Sequence, residues 1–171
     1  MTGLKRTITT MAMLLLGLGA VAAQAEPQFA GAWRLDRSQS QLPKPNGRSQ
    51  LDAQAQPPDV KLVVEQHGTT LKVTRIMTMG THERSTSDTY LTDGTDQSHR
   101  GYRGEVVTRA AYEGDRLVVT RVHVKKSDQG DRTMSRQSIW TLSPDGLVLT
   151  IDTTMQSPHG DRAMKTVYVR S

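Results

Sequence analysis

The chain has no cysteine in its 171 residues. That excludes a disulfide framework, a thiolate metal centre, a cysteine nucleophile and a lipid anchor built on an acylated cysteine. Aromatic residues are scarce, with one Phe, two Trp and four Tyr. A flat-ring ligand held in an aromatic stack has few side chains to hold it, and so does a base-stacking nucleic-acid surface. Charge of one sign is also lacking: 22 Lys and Arg stand against 17 Asp and Glu, a formal net charge of +5. The basic residues are dispersed, Lys125-Lys126 being the one Lys-Lys pair, so no nucleic-acid partner is expected. The main apolar run, Met11 to Ala23, would measure roughly 20 Å as a helix, short of the ~30 Å hydrocarbon core of a bilayer.

That short run sits in a setting of its own. Lys5 and Arg6 precede it, Ala23-Gln24-Ala25 supplies small residues after it, and Glu26-Pro27 breaks a continuing helix. These three parts predict a cleavable secretory signal over residues 1–25, with the working domain at 26–171, no stable membrane anchor, and a periplasmic or secreted location. The basic pair is Lys-Arg, which gives the twin-arginine route little support. Loss of the leader removes Lys5 and Arg6 and lowers the formal net charge from +5 to +3. The remainder is the length of one domain, able to bury a core without covalent staples.

From Val60 onward the apolar residues recur with period two. Val60, Leu62 and Val64 alternate with Lys61, Val63 and Glu65, and Leu71, Val73 and Met77 resume the pattern after His67-Gly68-Thr69-Thr70. Turn chemistry then recurs at Gly80, Asp93-Gly94, Gly101/Gly104, Glu113-Gly114, Gln129-Gly130, Asp145-Gly146 and His159-Gly160. Spacings of 10–16 residues leave no room for helices between strands, so the pattern predicts an all-β up-and-down meander. Gly-Asp-Arg at 114–116, 130–132 and 160–162 repeats because hairpin turns select the same residues. An open sheet of eight or nine such strands has two unpaired edges, and closing it into an antiparallel barrel, or folding it as a sandwich, disposes of them. The short hairpins favour a single up-and-down β-barrel. Residues 36–59 differ, with Pro43, Pro45, Pro57 and Pro58 among Ser and Gln. They are expected to form a long loop or lid, with two helical turns over Ser49–Gln56 as one option.

Phe29-Ala30-Gly31-Ala32-Trp33-Arg34-Leu35-Asp36 resembles the Gly-x-Trp first strand of the lipocalins and related calycins, in particular the small exported lipocalin-like proteins of bacteria. The resemblance implies a barrel of about 8–10 strands whose end is closed by Trp33, with a basic residue near the chain's end, here Arg170, packed on the Trp33 ring. Gly31 and Trp33 carry the motif. The lipocalin disulfide has no counterpart in a cysteine-free chain, and no C-terminal helix is evident.

No catalytic residue, metal or cofactor is assigned. His67, His82, His99, His123 and His159 include no pair at i, i+2 or i, i+4 spacing, and no nucleophile elbow, Walker loop or dinucleotide fingerprint is present. The turn aspartates serve backbone geometry. Met77, Met79, Met134, Met155 and Met164 read as adaptable barrel filling. The informative residues are arginines on apolar strand faces: Arg75 with Leu71, Val73 and Met77; Arg121 with Leu117, Val119 and His123; Arg136 with Met134, Ser138, Trp140 and Leu142. If those faces turn inward, the guanidinium groups need partners. A ligand carboxylate or phosphate could serve, with its apolar part along the Leu, Val and Met walls. The resemblance to fatty-acid-binding barrels implies the same. Two other placements fit the sequence: arginines extended to a rim, or paired with Glu65, Glu83 or Asp152. Val118, Val122 and Val124 on the opposite face leave the inner side open. The expectation is therefore a monomeric module for a small amphipathic or anionic ligand, with Arg75, Arg121, Arg136 and Trp140 as its contacts. The alternative is a structural or interaction protein of the cell envelope with a filled barrel.

Overall fold

The computed structural model describes residues 26–42, 57–101, 104–125, 130, 132–158 and 160–171. Ten strands follow one another: β1 (Gly31–Gln41), β2 (Asp59–His67), β3 (Thr70–Met79), β4 (His82–Leu91), β5 (Asp93–Gly101), β6 (Gly104–Glu113), β7 (Arg116–Lys125), β8 (Arg132–Leu142), β9 (Val148–Gln156) and β10 (Arg162–Arg170). All pairings are antiparallel, and the strand order runs β4-β3-β2-β1-β10-β9-β8-β7-β6-β5. Each strand pairs with its sequence neighbour, β1 joins β10, and the ladder is interrupted only between β4 and β5. The protein is an up-and-down barrel, nearly closed, with one open seam.

The seam explains the composition of its borders. From His82 to Thr89 every residue of β4 is exposed, and β5 presents Asp93, Asp96, Ser98, His99 and Arg100 to solvent. Charged and polar edge strands discourage pairing with another chain. One side chain bridges the gap: Leu91 N–H donates to Gln97 Oε1 at 3.0 Å.

The core lies at one end. Trp33, Leu62, Leu71, Leu117 and Leu149 are fully buried with Phe29. The segment before β1 crosses this end and drives Phe29 in as a plug. Its ring stacks on Tyr112 (6.5 Å between centroids) and meets Trp140 edge-on at 5.9 Å. The plug is also pinned by polar contacts. Trp33 Nε1–H donates to the Phe29 carbonyl at 2.9 Å, and Phe29 N–H donates to Gln66 Oε1 at 3.0 Å, while Gln66 Nε2 reaches the Tyr112 hydroxyl at 3.0 Å.

Two expectations need correction. Residues 36–41 belong to β1, not to a loop; the misreading has a physical source in local side-chain bonding. The Asp36 carboxylate accepts from Ser38 N–H at 2.9 Å, Ser38 Oγ at 2.6 Å and Gln39 Nε2 at 2.8 Å, and the ladder to β10 is irregular between Asp36 and Gln41. Such bonds compete with the regular ladder and make a strand read as a turn. Likewise the Asp93–Thr95 turn lies inside β5, where Asp93 accepts from Thr95 N–H and Oγ1 beside a second irregularity. The signal at 1–25, the option of a helix over 49–56 and most of the expected lid lie outside the described residues.

Candidate functional site

Along three strands the inner face changes character from the plugged end to the open one. On β3 it runs Leu71, Val73, Arg75, Met77; on β7, Leu117, Val119, Arg121; on β8, Trp140, Ser138, Arg136. The lower residues are buried, Leu71 and Leu117 completely, and the arginines lie above them, Arg75 exposed and Arg121 and Arg136 half-buried. Barrel closure settles which face is inner, because Leu117, Val119 and Trp140 join the core cluster while Val118 and Val122 stay partly exposed.

The interior holds a cavity of about 280 Å³, at the small end of ligand pockets. Its apolar wall includes Leu35, Val60, Val119, Ile151 and Trp140; its upper part includes Arg75, Arg121, Arg136 and Asp88. Arg75, Arg121, Arg136 and Trp140 thus line one space. Arg37 also lines it, near the start of β2, where it donates to the Pro58 carbonyl. Tyr90, Tyr168, Asp88 and Arg37 were not singled out by the sequence. Tyr90 and Asp88 could have been, since they are two residues apart at the end of an otherwise polar strand and so share a face.

Asp88 is the partner of Arg121. Nη2 of Arg121 donates to Asp88 Oδ1 at 2.9 Å, Nε donates to Thr108 Oγ1 at 3.3 Å, and the guanidinium lies 5.8 Å from the Tyr90 ring centre. The acids weighed from sequence are placed elsewhere: Glu65 pairs with Lys72 at 2.7 Å, and Glu83 and Asp152 are exposed. Arg121 and Arg136 stand opposite each other in the β7–β8 register. Burial, then the charges of Arg75 and Arg121, push the Arg136 guanidinium below its ordinary pKa, with Tyr90 and Asp88 opposing. Burial also lowers Arg121, but Tyr90 and Asp88 outweigh it and hold its pKa up. Both remain cations at neutral pH. Burial raises the Tyr90 and Tyr168 phenols, which stay neutral donors. Among the described residues, Arg136 Nε and Trp140 Nε1 are buried donors without an acceptor.

The plugged end has its own constellation. Trp33 and Arg170 are register partners on β1 and β10, and the Arg170 guanidinium lies 4.3 Å from the Trp33 ring centre. It donates from Nη1 to the Ala30 carbonyl and from Nε to the Gly146 carbonyl, both at 3.0 Å. Gly31 has φ of 140°, and a Cβ there would overlap Arg170 Nη1. The Gly and the Trp of the motif therefore serve one arginine: the Trp offers its ring, and the Gly makes room for the guanidinium. Among the described residues no group of three or more His, Cys, Asp or Glu is placed to hold a metal ion.

The fold is a ten-stranded, nearly closed up-and-down barrel with an apolar floor and a cationic upper chamber. No protein-family model matches the chain, and no curated protein does. Among solved structures it is similar to zebrafish ileal bile acid-binding protein complexed with cholic acid, with TM-score 0.56 and 13% identity over 84% of this chain and 98% of that one. Human cRBP IV matches with TM-score 0.49 and 13% identity over 84% and 98% of the two chains. The fatty acid-binding protein from brain tissue of Drosophila melanogaster matches with TM-score 0.48 and 15% identity over 83% and 99%.

Proposed function

We propose that this chain is an exported, non-catalytic binding protein that holds a small amphipathic anion inside its barrel. The observation that carries the reading is the buried Arg136 Nε, without an acceptor among the described residues, set above an apolar floor in a cavity with four arginines and one carboxylate. A buried donor left unpaired costs about 1–3 kcal/mol, so an anionic ligand that reaches it gains that much in recognition. The zebrafish barrel of the same fold is described as complexed with cholic acid, itself an amphipathic acid. In this reading Arg75, Arg121 and Arg136 receive the charged end, and Trp140 and the Leu and Val walls receive the apolar end. The protein works as a monomer in the periplasm or outside the cell, after cleavage before Glu26.

Native mass spectrometry of the protein isolated from its own cell envelope or medium tests both halves. The expected result is a chain starting at Glu26 that carries a co-purifying small molecule, lost in Arg136→Gln. A wild-type chain without bound mass that also fails to take up any amphipathic acid in solution would overturn the binding reading. An intact leader would overturn the export reading.

A further inference from the structure

We propose that the charged chamber selects a dianion, a phosphate monoester on a single apolar chain, over a carboxylate of the same length. The inference rests on the binding reading above and adds which anion is bound. Four guanidinium groups, Arg37, Arg75, Arg121 and Arg136, line the cavity with one carboxylate, Asp88. The chamber therefore has an excess of three positive charges, and Asp88 is already committed to Arg121 at 2.9 Å. A carboxylate supplies one charge and leaves the chamber cationic. A phosphate monoester supplies about 1.5–2 charges near neutral pH and comes closer to balance.

Geometry favours the same choice. Arg75 on β3 and Arg136 on β8 belong to strands separated by β2, β1, β10 and β9 in the sheet, so they approach the chamber from different walls. A carboxylate has two oxygens in one plane, suited to a single guanidinium fork. A phosphate has three terminal oxygens in a pyramid, which can accept from separate walls at once. Arg136 Nε has no acceptor among the described residues. A cavity of about 280 Å³ suits one chain better than two.

Calorimetric titration of the full folded chain with octyl phosphate, octyl sulfate, octanoate and inorganic phosphate tests this. At about pH 7.5 octyl phosphate should bind about tenfold more tightly than octanoate or octyl sulfate, and its affinity should fall about tenfold by pH 5, below its second ionisation near 6. Octyl sulfate is a monoanion throughout that range and reports the protein's own titration. The groups lining the chamber that bear on it are Asp88 and Tyr90 on β4 and Tyr168 on β10, besides the arginines of β1, β3, β7 and β8; exposed His123 on β7 and His99 on β5 sense one another, and His123 senses Arg121 and Arg136. In Arg75→Gln octyl phosphate should lose more affinity than octanoate, so that the preference for phosphate shrinks to about twofold. Arg75 is exposed, so this variant should fold. Equal affinity for octanoate and octyl phosphate would overturn the dianion inference and leave the binding reading standing. Failure of every octyl compound to bind would overturn both. Inorganic phosphate binding as tightly as octyl phosphate would overturn the single-chain part, identifying a free phosphate as the occupant.

Discussion

Arg121 and Arg136 face each other directly across the β7–β8 ladder, and among the described residues only Arg121 is paired with a carboxylate. Like charges in opposed positions destabilise a sheet, so the pair works against the fold that holds it. Replacing Arg136 by Met should raise the stability of the ligand-free protein by about 0.2–1 kcal/mol, because it removes the repulsion and a buried unpaired donor together. The urea midpoint reads this directly. A gain in midpoint together with loss of ligand binding is the expected signature of a site kept at the expense of stability. A clear drop would mean that the Arg136 stem packs more usefully than its head repels.

Arg170 joins three elements at the plugged end through the Trp33 ring and the carbonyls of Ala30 and Gly146. Arg170→Ala should cost ~1–3 kcal/mol, and Arg170→Lys should recover only part of it, since an ammonium cannot cover the ring and reach both carbonyls in one plane. Chemical denaturation of the three proteins ranks them.

Gly31→Ala should cost ~1–3 kcal/mol through its backbone conformation and the overlap with Arg170 Nη1. In an Arg170→Ala background the cost should fall without vanishing, because φ at 31 is unchanged. The double-mutant cycle isolates the coupling. Strict additivity would show that Gly31 and Arg170 do not compete for the same space.

Phe29 is the one Phe of the chain and is fully buried. Phe29→Ala should lose ~3–5 kcal/mol, since it removes the plug from Tyr112 and Trp140 together. The fluorescence maximum of the two tryptophans should shift to the red as the floor admits water. Unchanged emission would show that the Leu62 to Leu149 layer seals that end unaided.

Burial, then the charges of Arg121, His99 and Arg136, lower the His123 pKa below its usual 6.5. A lowered folded-state pKa means that the unfolded chain binds the extra proton first. The stability from neutral His123 is therefore full above about pH 6.5 and is lost as the pH falls through the folded value. His123→Gln should flatten the decline in urea midpoint between about pH 7 and 5. An identical decline in both proteins would assign it to groups other than His123, and not to Asp36, Asp93 or Asp145, whose carboxyls are lowered first by side-chain bonds from Ser38 and Ser143 and by the Thr95 backbone and act only at more acid pH.

The sequence by itself determined the class of fold and the punctuation of its strands. Period-two alternation and Gly-bearing turns act locally, and a hairpin has few steric solutions. The resemblance carried by Gly31-Ala32-Trp33 implied the closed end, whereas the polar run from His82 to Thr89 is identified as an edge only by the break in the ladder beside β4. Local pattern could not determine which face of β7 is inner, since Leu117, Val119 and Arg121 on one side and Val118, Val122 and Val124 on the other are both apolar enough to be buried. Barrel closure decided that, by bringing the first face against Trp33, Phe29 and Trp140. It also chose Asp88, 33 positions from Arg121, over nearer-looking acids, and turned Asp36–Gln41 from an apparent loop into strand. These are outcomes of contacts between residues far apart in the chain, and only the folded barrel brings them together.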